Sequence, residues 1–353
     1  MKRVLPSVLL ILLTAFAACV SAPPEQNKNA PSKKSGALRI GFSMDTLKEE
    51  RWQRDRDLFV ARAKELGAET LVQSANSDDA IQLQQAENLL SQGIDVLVVV
   101  PHNAEVAASI VEAAKRQNVP VVSYDRLIRN SDVDLYISFD NVKVGELQAK
   151  YLFDRAPKGN YVLIGGSPTD NNAQMLREGQ LKVLKPSIDS GDIKIVMEQW
   201  AREWQPSEAL KIAENALTQA KNDVVAIVAS NDGTAGGAIQ ALEEQKIADK
   251  VLVSGQDADL AALQRIVEGK QAMTVYKPID KLARRAAEVA VALARGESAG
   301  AASTVNNGRK DVPSVLLEPV TVDKNNMADT IIKDGFRKAE EVYKNLPRDQ
   351  WPK

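Results

Sequence analysis

From Leu38 onward the chain alternates between two hydrophobic periods. LRIGFSM (38–44), IDVLVVV (94–100), VPVVSYD (119–125), NYVLIGG (160–166) and VVAIVAS (224–230) are short, near-continuous apolar runs. Runs of that length, apolar on both faces, are expected of parallel strands covered by helices. ETLVQSA (69–75), IKIVMEQ (193–199) and VLVSGQD (251–257) read as further strands. Between them the apolar positions recur at helical spacing. Helices are predicted over 51–66, stopped by Gly67, over 79–92, closed by Gly93, and over 104–117, 207–220 and 279–295. In the fourth of these Leu210, Ala213 and Leu217 share one face at i, i+3 and i+7. Two series of strand–helix–strand units predict an α/β fold of two doubly wound lobes.

Composition sharpens this without redirecting it. A chain of 353 residues exceeds what one core organises, which again favours two lobes. Forty-five basic and 47 acidic side chains give a formal net charge of −2. That leaves no global basic field for nucleic acid, and none is expected as a partner.

The residues ahead of Leu38 belong to a different class. Lys2 and Arg3 precede an apolar stretch, Val4 to Ala18, that is too short to span a bilayer comfortably and reads as a signal peptide. It ends in Phe16-Ala17-Ala18-Cys19, which resembles a bacterial lipobox, although Phe16 replaces the usual leucine. Cys19 is the only cysteine, so an exported protein has no internal disulfide to make with it. Lipidation of Cys19 is therefore expected, against the alternative of ordinary cleavage nearby. Residues 20–37, rich in Pro, Ser, Asn and Lys, are expected to form an extended tether.

Open parallel sheets bind ligands beyond the carboxyl ends of their strands. The residues there are Asp45 with EERWQRDRD (49–57), Asp125-Arg126, SPTDNN (167–172), Trp200 and Trp204, Asn231-Asp232, Gln256-Asp257 with Asp259, and TVYKP (274–278). Carboxylates, amides and guanidinium groups can hold neighbouring hydroxyls, and tryptophan offers a flat apolar face to a pyranose ring. Each has a plainer reading. Asp, Asn and Ser after strands are commonly helix N-caps, above all Asp232 and Asp259. Trp52 and Trp204 fit a core as well, RWQRDRD fits a charged helix surface, and Asp125 and Arg126 fit a local ion pair.

Other chemistries lack their residues. Gly165-Gly166 and Gly236-Gly237 match no phosphate-loop pattern and are assigned to helix packing. One histidine, His102, and one cysteine cannot build the usual metal-ligand sets, and His102 is placed at a cleft rim or on the surface. No nucleophile elbow or Cys–His pairing is present in the sequence. No metal, cofactor or enzymatic activity is expected.

DTLKEERWQRDRDLF (45–59), YISFDNVKVGELQAKYL (136–152), GGSPTDNNA (165–173), VASNDGTAGGAIQAL (228–242), SGQDADL (254–260) and MTVYKPI (273–279) resemble the xylose-binding members of the periplasmic binding protein type I family. The resemblance spans roughly residues 38–336 and leaves out the lipobox, the tether and the tail 337–353. It implies two Rossmann-like lobes, 38–139 plus 278–306 and 140–277 plus 307–336. Three hinge strands would lie near Asp140, Lys277-Pro278 and 307–313. The family's sugar contacts fall on Arg51, Trp52, Asp125, Arg126, Asp170, Asn172, Trp204, Asn231, Asp257 and Lys277. The implied roles are acceptors at Asp125, Asp170 and Asp257, and donors at Arg51, Arg126 and Lys277. Asn172 and Asn231 would do both, and Trp52 and Trp204 would sandwich the ring.

The implied function is monosaccharide capture, with D-xylose first and ribose, glucose or arabinose as alternatives. The expected partners are the permease and ATPase subunits of an ABC importer, approached by a monomer held to the membrane through Cys19. Presentation of sugar to a chemoreceptor or sensor kinase is a second reading, and an exported carbohydrate-active enzyme a third. A sugar-responsive repressor would need a DNA-binding headpiece where the signal peptide lies.

Overall fold

The computed structural model describes Met1 and residues 37–352. The signal segment, Cys19 and the tether up to residue 36 lie outside the described residues. The chain begins β1 (Leu38–Met44), α1 (Glu50–Glu65), β2 (Ala68–Ser74), α2 (Asp79–Ser91), β3 (Val96–Val99), α3 (Ala108–Arg116), β4 (Val121–Tyr124) and β5 (Leu135–Phe139). It continues α4 (Asn141–Phe153), β6 (Gly159–Gly165), α5 (Asn171–Asp189), β7 (Ile193–Trp200), α6 (Pro206–Ala220), β8 (Ala226–Ala229), α7 (Asp232–Glu244), β9 (Leu252–Val253) and α8 (Leu260–Val267). β10 (Thr274–Tyr276), α9 (Ile279–Ala294), β11 (Ser303–Asn306), β12 (Asp311–Leu317), β13 (Val320–Val322) and α10 (Ala339–Val342) complete it.

The strands form two large sheets. The first, of seven strands, has the order β11-β12-β5-β4-β3-β1-β2, parallel except for the β11–β12 hairpin. The second has the parallel order β7-β6-β8-β9. Every residue of β3 and β4 is buried, because helices cover both faces of the first sheet. On one face α1 and α9 pack Phe59, Leu282 and Ala286 against Phe42 and Tyr124. On the other α2 and α3 pack Leu89 and Ile110 against Leu97. The alanine-rich inner face of α9 lets it lie close to the sheet.

The chain passes between the sheets after β5, after β10 and after β12. The last crossing corrects an expectation. β12 hydrogen-bonds in parallel to β5, with Ser314 opposite Tyr136, so residues 311–317 belong to the first sheet. The third crossing therefore lies between Leu317 and Val320, not at 307–313, and β13 then pairs antiparallel with β10.

Residues beyond 336 pack rather than trail. Val342 and Tyr343 are buried in a cluster with Tyr276, Ile279 and Phe336, and Trp351 joins it from the edge. Arg54 of α1 donates to the Phe336 carbonyl at 3.0 Å, and Gln264 of α8 donates to the Glu341 carbonyl at 2.9 Å. The end of the chain thus touches helices of both sheets.

Candidate functional site: a charged cavity between the sheets

The carboxyl ends of both sheets face one cavity of about 320 Å³ of empty space, its mouth included. All ten residues singled out in the sequence line it, together with Glu49 and Gln256. Arg51 and Trp52 come from the first turn of α1, and Asp125 and Arg126 follow β4. Asp170 and Asn172 open α5, Trp204 lies in the short turn after β7, and Asn231 precedes α7. Asp257 follows β9 and Lys277 follows β10. Glu49 and Gln256 were within the strand-end segments but carried no distinguishing signal.

Two guanidinium groups organise the interior. Arg51 contacts Asp125 at 2.8 Å, Asp55 at 3.2 Å and Asp257 at 3.3 Å. Arg126 contacts Asp45 at 2.6 Å and Asp170 at 2.8 Å. Lys277 meets Asp257 at 2.9 Å. Asn172 donates to Asp125 Oδ1 at 3.2 Å, and the Trp204 indole donates to Asp170 Oδ2 at 3.1 Å. Arg51–Asp257, Arg126–Asp170 and Asn172–Asp125 each join one sheet to the other.

The environment acts on these groups in opposite directions. Burial pushes the Asp125 carboxyl upward, but Arg51, Lys277 and Arg126 together hold it below its ordinary range. At Asp170 burial outweighs Arg126, and at Asp55 it outweighs Arg51, so both carboxyls are raised. Burial lowers Arg51 and Arg126, yet their carboxylate partners overcome it and keep both firmly charged. Asp125 (φ 60°), Trp204 (φ 57°) and Asp257 (φ 94°) adopt left-handed backbone. Such strain in non-glycine residues persists where surrounding contacts over-determine the conformation. Asn172 Oδ1 and Gln256 Oε1 are buried without a hydrogen-bond partner. Each is an acceptor left over at the cavity wall.

Several plainer readings turn out differently. Asp125 and Arg126 pair with other residues, not with each other. The cap of α7 is Asn231, whose Oδ1 accepts from Thr234 N at 2.8 Å. Asp232 is instead a buried acceptor for Gln271, Thr274 and the Asp259 backbone. Asp259 occupies the cap position of α8 without making a cap hydrogen bond. Asp170 caps α5 and lines the cavity as well. Gly165 and Gly166 make room for indoles rather than helices. A Cβ on Gly165 would lie 2.2 Å from the Trp200 ring, and one on Gly166 would lie 2.1 Å from Trp204. Gly237 does serve helix packing, against the backbone of Pro206.

Within RWQRDRD, Arg56 and Asp57 pair on the surface, whereas Asp55 is fully buried beneath Arg51 and accepts from the Tyr124 hydroxyl. Its spacing of four from Arg51 was the available signal. Trp52 belongs to the core cluster of the first sheet and also lines the cavity, with the Arg51 guanidinium 4.3 Å from its ring centre.

Interleaved carboxylates, guanidinium groups and amides in an enclosed space suit a small polyhydroxylated molecule, whose hydroxyls both donate and accept. The fold and this cleft define a class, the extracytoplasmic binding proteins of type I architecture. The chain belongs to the periplasmic binding protein family: the "Periplasmic binding protein domain" matches residues 40–298. It is 56% identical over 312 residues to the D-xylose-binding periplasmic protein of Haemophilus influenzae, covering 88% of this chain and 94% of that one. To the D-xylose-binding periplasmic protein of Escherichia coli it is 57% identical over 305 residues, covering 86% and 92%. A carbohydrate transporter solute binding protein from Chloroflexus aurantiacus, solved in complex with D-glucose, matches with a TM-score of 0.81 and 34% identity, covering 86% and 98%. Among the described residues no helix is long and apolar enough to cross a membrane.

Proposed function

We propose that this protein captures D-xylose outside the cytoplasm and delivers it, chemically unchanged, to the permease and ATPase of an ABC importer. The observation that carries the reading is the convergence of ten strand-end residues on one cavity, in a chain 56% identical to a D-xylose-binding periplasmic protein. Asp125, Asp170 and Asp257 accept from sugar hydroxyls, while Arg51, Arg126 and Lys277 donate to sugar oxygens. Asn172 and Asn231 do both, and Trp52 and Trp204 supply apolar faces to the ring.

Two lobes, each built on one large sheet, hinge at the three crossings. Sugar held by one lobe adds contacts that the other meets only on closing, so binding shifts the open–closed equilibrium. The protein acts as a monomer, tethered through lipidated Cys19. The test is a calorimetric screen of the purified protein against xylose, ribose, arabinose, glucose and galactose. Tight binding of xylose is expected; binding of glucose but not xylose overturns the ligand assignment. Loss of acylation in Cys19→Ala is expected of the tether, and retained acylation refutes it.

A further inference from the structure

His102, the sole histidine of the sequence, is outside the ten cavity residues yet wired to them. Its backbone N–H donates to Gln82 Oε1 at 2.9 Å, which fastens the loop after β3 to α2. Its Nδ1 lies 2.9 Å from Asp45 Oδ1. The other Asp45 oxygen meets Arg126, and Arg126 reaches Asp170 on the second sheet. One imidazole is thereby joined, through a shared carboxylate and a guanidinium, to an ion pair that bridges the cleft.

The charged groups around it come from both sides. From the first sheet these are Asp45, Lys48, Glu49 and Arg126, with Asp79 at the start of α2. From the second, Glu203 lines the same crevice, with Asp170 behind Arg126. Lys48 reaches across to the Glu203 carbonyl at 2.8 Å. Among the described residues the second sheet adds Glu203 and no cation to the lining of this crevice, and its Asp170 holds Arg126. Bringing anions towards an imidazole raises its proton affinity, and by reciprocity a proton there favours the arrangement that brings them.

We infer that His102 is a positioning residue that links sugar binding to proton uptake, its imidazolium sharing Asp45 with Arg126 when the cleft closes on the sugar. The inference rests on the sugar-binding reading above. The Asp45 carboxylate beside it already holds the His102 pKa above its ordinary value, against the opposing effect of burial.

A single histidine permits a direct test by NMR titration of its imidazole, with and without saturating D-xylose. The pKa is expected to be higher in the complex; an equal or lower value overturns the inference. In parallel, D-xylose affinity is measured by calorimetry from pH 5.5 to 8 in buffers of different ionisation enthalpy. Affinity is expected to fall about 3- to 10-fold as pH rises, with proton uptake on binding, and His102→Gln is expected to flatten both. A His102→Gln profile identical to that of the unsubstituted protein overturns the role of His102 while leaving sugar binding intact. Absence of D-xylose binding at every pH overturns the sugar reading and this inference with it.

Discussion

Asp257→Ala separates what holds the fold from what holds the sugar. Asp257 Oδ1 stands between Lys277 Nζ at 2.9 Å and Arg51 Nη1 at 3.3 Å, and both cations are buried. The two contacts belong to different states in the hinged reading. Lys277 adjoins the same side of the cleft as Asp257, so their pair exists open or closed. Arg51 comes from α1 on the other side and is met only on closing. Removing the carboxylate takes away the ion-pair partner of Lys277, which is 2% exposed, and leaves it only the Asp125 carboxylate nearby. Breaking a buried pair costs about 3–5 kcal/mol, and that part is expected as a loss of sugar-free stability. Arg51 is better protected, since Asp125 and Asp55 still grip it.

Binding loses the Arg51 contact and one hydroxyl bond to a charged acceptor, the latter worth about 1.5–3 kcal/mol. A total of about 2–4 kcal/mol corresponds to roughly 30- to 1000-fold weaker xylose binding. Alanine also fits poorly at φ 94°, so Asp257→Asn, which tolerates left-handed backbone, isolates the charge. Calorimetry gives the affinities and urea denaturation the stabilities. Unchanged xylose affinity in both variants would remove Asp257 from the site.

Other expectations test separate parts of the argument. Gly166→Ala must displace the Trp204 ring or its own strand end, so xylose affinity is expected to drop at least about tenfold by calorimetry, as befits a contact worth more than 1.4 kcal/mol; unchanged affinity means the indole is not a sugar contact. Burial pushes the Asp232 carboxyl up to about 7, despite Arg265 and Gln271. The folded state then binds more protons than the unfolded one between about pH 4 and 7, so stability falls as pH rises through that window and the penalty is complete above it. Because burial also raises the neighbouring Asp259 carboxyl, Asp232→Asn is expected to reduce but not abolish the change in urea midpoint between pH 5 and 8; parallel slopes refute it. Tyr343→Ala empties a buried position in the terminal cluster and is expected to lower stability by about 2–4 kcal/mol in thermal or urea unfolding, whereas an unchanged midpoint would show the tail to be dispensable.

What the sequence could reveal followed from how each element is solvated. β1, β3, β4, β6 and β8 stand between helices, so their runs are apolar on both faces and unmistakable. β11 is exposed along most of its length and carries no period, while of the strand expected over 251–257 only Leu252–Val253 forms β9. β12 shows no apolar alternation in its sequence, since its buried positions are Val312 and Ser314, and its pairing of Ser314 with Tyr136 spans 178 residues (314 − 136), so nothing local names the partner. That single pairing moved the third crossing from 307–313 to 317–320.

That the ten residues line one cavity was legible for a topological reason. Parallel strands of one sheet end on the same side, so residues remote in sequence converge without any local motif. Roles within it were less legible, because cap and cavity wall are not exclusive: Asp170 and Asn231 are both. Asp55 shows the limit most clearly. One turn beyond Arg51 in a run of charges, it reads as solvated surface, and only the packing of α1 against Tyr124 turns that turn of helix inward. A buried carboxylate raised by desolvation is tolerable there because Arg51 and a hydroxyl face it. The same contacts fix Arg51 before any ligand arrives, and preorganisation of this kind lets a small cavity hold a neutral molecule without spending binding energy on arranging its own walls.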